Sequence, residues 1–301
     1  MENEFNTEQK SGGSKSQTII IVLLIIVIMG LVGLMSYDKF IAKKESEKPA
    51  STTETKEETK LEEKIEILDI NNTLVKNLYK PFSYHTWSAN SEERFSKDIM
   101  ASNDLTNKYK NRLAYALYYD TVGSDKVVDY IQKGTEFNPP KMFVKSSTIE
   151  NYYNKIFGTT NQYKATESID TCNINGLSMI YVKEVDMYLY QGTCDASFFG
   201  YHESLNKAVK KDSSIELYTK VLVYNWDIDK GIMGAYSNIA DASASSNAIK
   251  QLKVSTPDRQ KMLDFISSLN QYENNAPEYK YTFTKDSTGN YYFTKIEKVN
   301  K

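Results

Sequence analysis

YKYTFTKDSTGNYYFTKIEKV, residues 279–299, holds two runs of alternating character around a turn. Tyr279, Tyr281 and Phe283 recur at every second position, as a strand with one buried face requires. Asp286 to Asn290 supplies turn residues, and residues 291–299 run back. The stretch predicts a C-terminal β-hairpin. Moving upstream, Thr256-Pro257 reads as a helix start, with Thr256 as cap and Pro257 at the first position. Met262, Phe265, Ile266 and Leu269 form that helix's apolar face. Residues 215–224 are rich in β-branched and aromatic side chains and follow a turn-like 210–214. Residues 179–182 are an unbroken apolar run. After Lys183-Glu184, Val185, Met187 and Leu189 alternate with Asp186, Tyr188 and Tyr190.

The preceding part reads as helices. Asn103-Asp104 is a cap signal for a helix with Leu105, Tyr109, Leu113, Ala116 and Leu117 on one face. Ser124 and Gly134 bracket a shorter one, with Val127, Val128 and Ile131 inward. Ser147 and Glu150 form a capping box ahead of Ile149, Tyr152, Tyr153, Ile156 and Phe157, and Gly158 ends it. Residues 71–80 suit another helix, with Leu74, Val75 and Leu78 apolar. Because strands cluster rather than alternate with helices, the expected class is α+β with a mainly antiparallel sheet. Residues 65–301 form one domain, or a helical 65–160 and a β-rich 161–301.

Residues 16–37 carry no charge and lie between Lys15 and Asp38. At about 1.5 Å per residue such a helix spans roughly 33 Å, enough for a hydrocarbon core of about 30 Å. The span, taken as 18–37, is expected to cross a lipid bilayer as a signal-anchor helix. The run is long for a secretory signal and lacks an A-x-A-like site. Lys39, Lys43, Lys44 and Lys48 outnumber Lys10 and Lys15, which by charge alone favours a cytoplasmic C-terminal side. The short 1–17 tail, the stalk-like 38–64 and two cysteines favour the opposite: N-terminus inside, domain extracytoplasmic. Residues 45–63 contain no aromatic residue and a single large aliphatic, Leu61, which predicts a charged flexible spacer.

Of the 37 basic and 39 acidic residues, 28 of each fall in 65–301. A balanced domain argues against a nucleic-acid partner, which requires clustered positive charge. Cys172 and Cys194 flank the 179–190 region. A hairpin there would bring them together as a disulfide, whereas one long strand would hold them apart as free thiols. No C-x-x-C and no histidine near either cysteine supports a metal site. His85, within FSYHTW, suits the rim of a pocket, and His202 stands beside Glu203, although strand neighbours face opposite ways. Ser204-Leu205-Asn206-Lys207 fits S-x-x-K without its partner motifs. Asp227 to Gly231 starts like a calcium loop but lacks the later ligands. No catalytic, cofactor or metal residues are assigned. The 23 tyrosines, with abundant Lys, Asn and Ile and three arginines, match an A+T-rich coding bias, though aromatic platforms also bind glycans or peptides.

The layout resembles single-pass envelope proteins of low-GC Gram-positive bacteria, in architecture rather than in any motif. It implies a tethered extracytoplasmic domain that binds or senses an envelope glycan or protein without catalysis. The alternatives are a tethered hydrolase or transferase acting on peptidoglycan or another glycan, and a cytoplasmic docking module.

Overall fold

The computed structural model describes residues 64–299, apart from 87–90, 137, 195–198 and 255–257. The expected span at 18–37, the tail before it, the stalk up to residue 63, Trp87 and the Thr256-Pro257 start lie outside the described residues. Among the described residues no helix is long and apolar enough to cross a membrane.

The chain runs β1 (Glu66–Leu68), α1 (Thr73–Tyr79), β2 (Ile99–Ala101), α2 (Asn107–Val122), β3 (Tyr130–Gln132), β4 (Lys141–Lys145) and α3 (Ser146–Phe157). It continues through β5 (Ser168–Thr171), the single turn α4 (Cys172–Asn175), β6 (Leu177–Val182), β7 (Met187–Thr193), β8 (Gly200–Lys210) and β9 (Ser214–Asp227). Last come β10 (Ile232–Tyr236), α5 (Ile239–Ala244), β11 (Lys250–Lys253), α6 (Arg259–Ser268), β12 (Glu278–Lys285) and β13 (Tyr291–Val299). The fold is mixed α+β with two antiparallel sheets. The smaller has the order β3-β4-β7-β6-β5, and the larger runs β1-β8-β9-β12-β13-β2, with β10 and β11 branching from β9.

The terminal hairpin forms as its alternation requires. Tyr281 and Phe283 point into the core, and β12 pairs with β13 from Glu278↔Val299 to Lys285↔Tyr291. The 179–190 region is also a hairpin, because residues 183–185 make a single turn closed by Asp186 in the left-handed region (φ 52°). That turn aligns β6 with β7 and brings Cys172 and Cys194 to a Cα separation of 5.7 Å, where they are bonded.

Helix starts differ from the sequence expectation. α2 begins at Asn107, with the Thr106 hydroxyl accepting from Tyr109 N, while Asp104 caps a turn at Ala101. Lys145 precedes α3, so Ser147 lies inside the helix and makes no capping box. α6 begins at Arg259 with Asp258 as its cap. The region 124–134 is a 3-10 turn followed by β3, and Ile131 is exposed; its short pattern fits either structure. The first half also contributes β1 and β2 to the larger sheet and β3 and β4 to the smaller; β1, β2 and β3 are three-residue edge strands, too short to show a period.

α2 packs on α3 and on β5, and α3 packs on β13. One apolar cluster therefore joins helix residues Leu113, Tyr115 and Ile149 to Leu217, Phe283 and Phe293 of the larger sheet and to Val144, Met179 and Tyr188 of the smaller. β9 is the spine of the larger sheet. Its first half, 214–220, pairs with β12, and its second half, 223–227, pairs on the same side with β10. The sheet forks where the partner changes, and Val221 N closes the gap by donating to Pro277 O at 3.1 Å. Beyond the fork, Leu222 packs toward α6 and Val223 toward α5.

Candidate functional site

β8 pairs with β9 so that Tyr201 lies opposite Val223 and Glu203 opposite Val221. Directly opposed residues share a face, so the Glu203 carboxylate is delivered to the buried side of the sheet. An unpaired carboxylate there would be prohibitive. The 3-10 turn Glu93–Phe95 supplies the counter-charge: Arg94, whose side chain is wholly buried. Arg94 Nη2 is 3.2 Å from Glu203 Oε2, Nε is 2.9 Å from Glu92 Oε1, and Nη1 donates to Phe82 O at 2.8 Å. Its guanidinium carbon lies 4.8 Å from the Phe95 ring centroid, within cation–π range.

His85 completes the cluster. Its Nδ1 is 2.8 Å from Arg94 Nη2. Arginine has only donors, so Nδ1 must be the acceptor and the imidazole proton sits on Nε2. Nε2 faces Glu203 Oε2 at 3.7 Å. Burial, then the nearby Arg94 and Arg112, hold the His85 pKa well below its ordinary value of 6.5. Tyr281 donates to Glu203 Oε1 at 2.8 Å, and Tyr109 donates to Glu92. Burial, the largest effect, raises the Glu203 pKa; Arg94 and Tyr281 oppose it. Arg112 donates to the carbonyls of Tyr84 and His85, fixing the backbone that carries the histidine. The two arginines and two glutamates are balanced around a neutral imidazole.

This is a structural clamp rather than an open acid–base pair. The Glu92 and Glu203 side chains have no exposure, and His85 retains 15%. A general acid must reach the group it protonates, and neither carboxylate meets solvent.

Beside the clamp, the fork opens a cleft of about 360 Å³. Phe95, Tyr201 and Tyr279 form its aromatic wall, with Phe95 4.8 Å from each tyrosine ring. Neither the Tyr201 nor the Tyr279 hydroxyl has a hydrogen-bond partner among the described residues; Tyr279 is half-buried and Tyr201 is 8% exposed, and both rings line the cleft. Burial, with Asp98 and Glu203 adding to it, pushes the Tyr279 phenol up to about 12, so it is a neutral donor. Lys97, Asp98 and Lys298 line the rim, and their side chains form no ion pair among the described residues.

The other sequence candidates are held apart from both features. His202 points to the opposite face of β8 from Glu203, with Nε2 2.8 Å from Asn270 Oδ1. Ser204 has its hydroxyl buried while Lys207 is exposed and lies over the Tyr218 ring at 5.0 Å. The Asp227 carboxylate is engaged by Lys230 and Ser245 around its own turn. Sequence reasoning identified His85 but missed Arg94, Glu92 and the aromatic wall. A usable signal was present. Of the chain's 37 basic residues only Arg94, Arg112 and Arg259 are arginines, and two of these meet at the clamp. Where lysine is the default cation, a retained arginine marks a place that needs a planar, multiply donating group. Comparison with protein-family models, with curated proteins and with solved structures gives no match.

Proposed function

We propose that this chain is a single-pass membrane protein of the bacterial envelope whose domain, held outside the cytoplasm, binds an envelope component in the fork cleft without catalysing its turnover. The observation that carries this is the cleft itself: an aromatic wall with two uncommitted hydroxyls and a rim of uncommitted charges. Recognition sites combine apolar walls with a few placed polar groups. The Cys172–Cys194 bond supports an oxidising compartment. Residues 18–37 supply the anchor through the bilayer, and 38–64 the spacer.

A hydrolase is the rival, and the glutamates next to His85 favour it by distance alone. Their complete burial and their attachment to Arg94 speak against it. The topology is tested by placing a single thiol at the exposed Lys133 of the full-length chain, whose native cysteines are bonded. A membrane-impermeant maleimide should label Lys133→Cys in intact cells and leave Lys10→Cys unlabelled. The reverse pattern puts the domain in the cytoplasm and removes the proposal.

A further inference from the structure

We infer that the fork cleft takes a saccharide. This rests on the cleft being the binding site proposed above, and it names the ligand class. Saccharides present apolar C–H faces together with hydroxyls that both donate and accept. The cleft mirrors both properties. Phe95, Tyr201 and Tyr279 give a continuous aromatic wall. The two phenols are neutral donors and acceptors, and the Asp98 carboxylate can accept from paired hydroxyls. Ser96 adds a further hydroxyl at the rim. The volume of about 360 Å³ lies at the lower end of the range for small ligands.

An extended peptide is the competing class, and the backbone argues against it. Peptides that dock on a sheet add a strand to an open edge. At the fork that edge is closed: Val221 N donates to Pro277 O, and Val223 pairs with Tyr236. Specificity must therefore come from side chains, which suits a polyhydroxyl ligand.

The experiment probes an array of immobilised oligosaccharides, including β-1,4-linked N-acetylglucosamine trimers, with the full-length chain in nanodiscs. Binding to at least one saccharide is expected. Tyr201→Phe and Tyr279→Phe, which remove only an oxygen, should each weaken it about fivefold to tenfold, the usual effect of one lost hydrogen bond. Asp98→Asn should weaken it too, and as a rim change it leaves the core untouched. Absence of binding to any saccharide at millimolar concentration overturns the inference, as does binding that all three variants leave unchanged. Photo-crosslinking from Lys97 in cells separates the two levels. A crosslinked protein partner with no saccharide binding sinks the ligand class but keeps the binding role. No crosslink and no saccharide binding sinks both.

Discussion

At the residue scale the decisive group is Arg94. It is the shared counter-ion of two buried carboxylates, and it also holds His85 in one tautomer. Removing one partner of such a cluster leaves uncompensated buried charge, which costs about 3–5 kcal/mol. Arg94→Ala should therefore lower the urea midpoint of unfolding by that equivalent, whereas exposed Lys97→Ala should change it by less than about 0.5 kcal/mol. Equal effects from the two variants contradict the clamp. His85 adds a pH dependence of definite sign. Its folded pKa lies below 6.5, so as pH falls the unfolded chain takes up the proton first. The stability contributed by neutral His85 is complete above about pH 6.5 and is lost below it, at up to about 1.4 kcal/mol per pH unit. His202 is shifted down as well, by burial, and adds to the trend. Glu203 is shifted up, so its protonation on acidification favours the folded state and offsets part of the loss. His85→Gln should flatten the stability profile between about pH 6.5 and 5.5; an unaltered profile means His85 is not the neutral acceptor.

At the scale of elements, β9 explains why the cleft exists. Fourteen residues outlast the strand paired beside them, so β12 covers the first half and β10 the second. The β6–β7 hairpin explains the disulfide, since its single turn sets the register that aligns the cysteines. Loop-entropy arithmetic for a separation of 22 residues gives roughly 3 kcal/mol. Cys172→Ser with Cys194→Ser should lose about that much, and a reductant should shift the native chain equally; no shift by either route contradicts the bond. These elements were legible to different degrees. The terminal hairpin is plain because tyrosine and phenylalanine alternate without interruption. β8 is not, because GYHESLNKAVK carries Glu203 inward and breaks register at a bulge between Leu205 and Lys207. A buried charge inverts the polarity pattern that signals a strand, so β8 and the inward placement of Glu203 on it are not legible from the alternation. α2 starts after Thr106 rather than Asn103-Asp104 because Thr106 caps as well as either, whereas α3 starts at Ser146 with no side-chain cap, so the Ser147 signal marks nothing there.

At the scale of the whole molecule, charge is divided between paired and unpaired groups. Residues 65–301 hold 28 basic and 28 acidic side chains and so no net charge, and the recognition proposed above rests on a local site. The larger sheet shows how that balance is arranged. Outside the core face, Lys280 lies between Glu216 (3.4 Å) and Glu297 (2.6 Å), and Lys220 meets Glu278 at 3.2 Å. Lys97, Asp98 and Lys298 stand apart from this pairing at the mouth of the cleft. Such a division was not legible in composition, because whether opposite charges pair depends on register across strands far apart in the chain. The most direct test of the account replaces Lys97 in the full-length chain with a photo-reactive residue and irradiates intact cells. The expected result is a crosslink to envelope material that Tyr201→Phe diminishes and that does not appear from the same residue at the exposed Lys141, on the smaller sheet. Equal crosslinking from both positions, or none from Lys97, contradicts it.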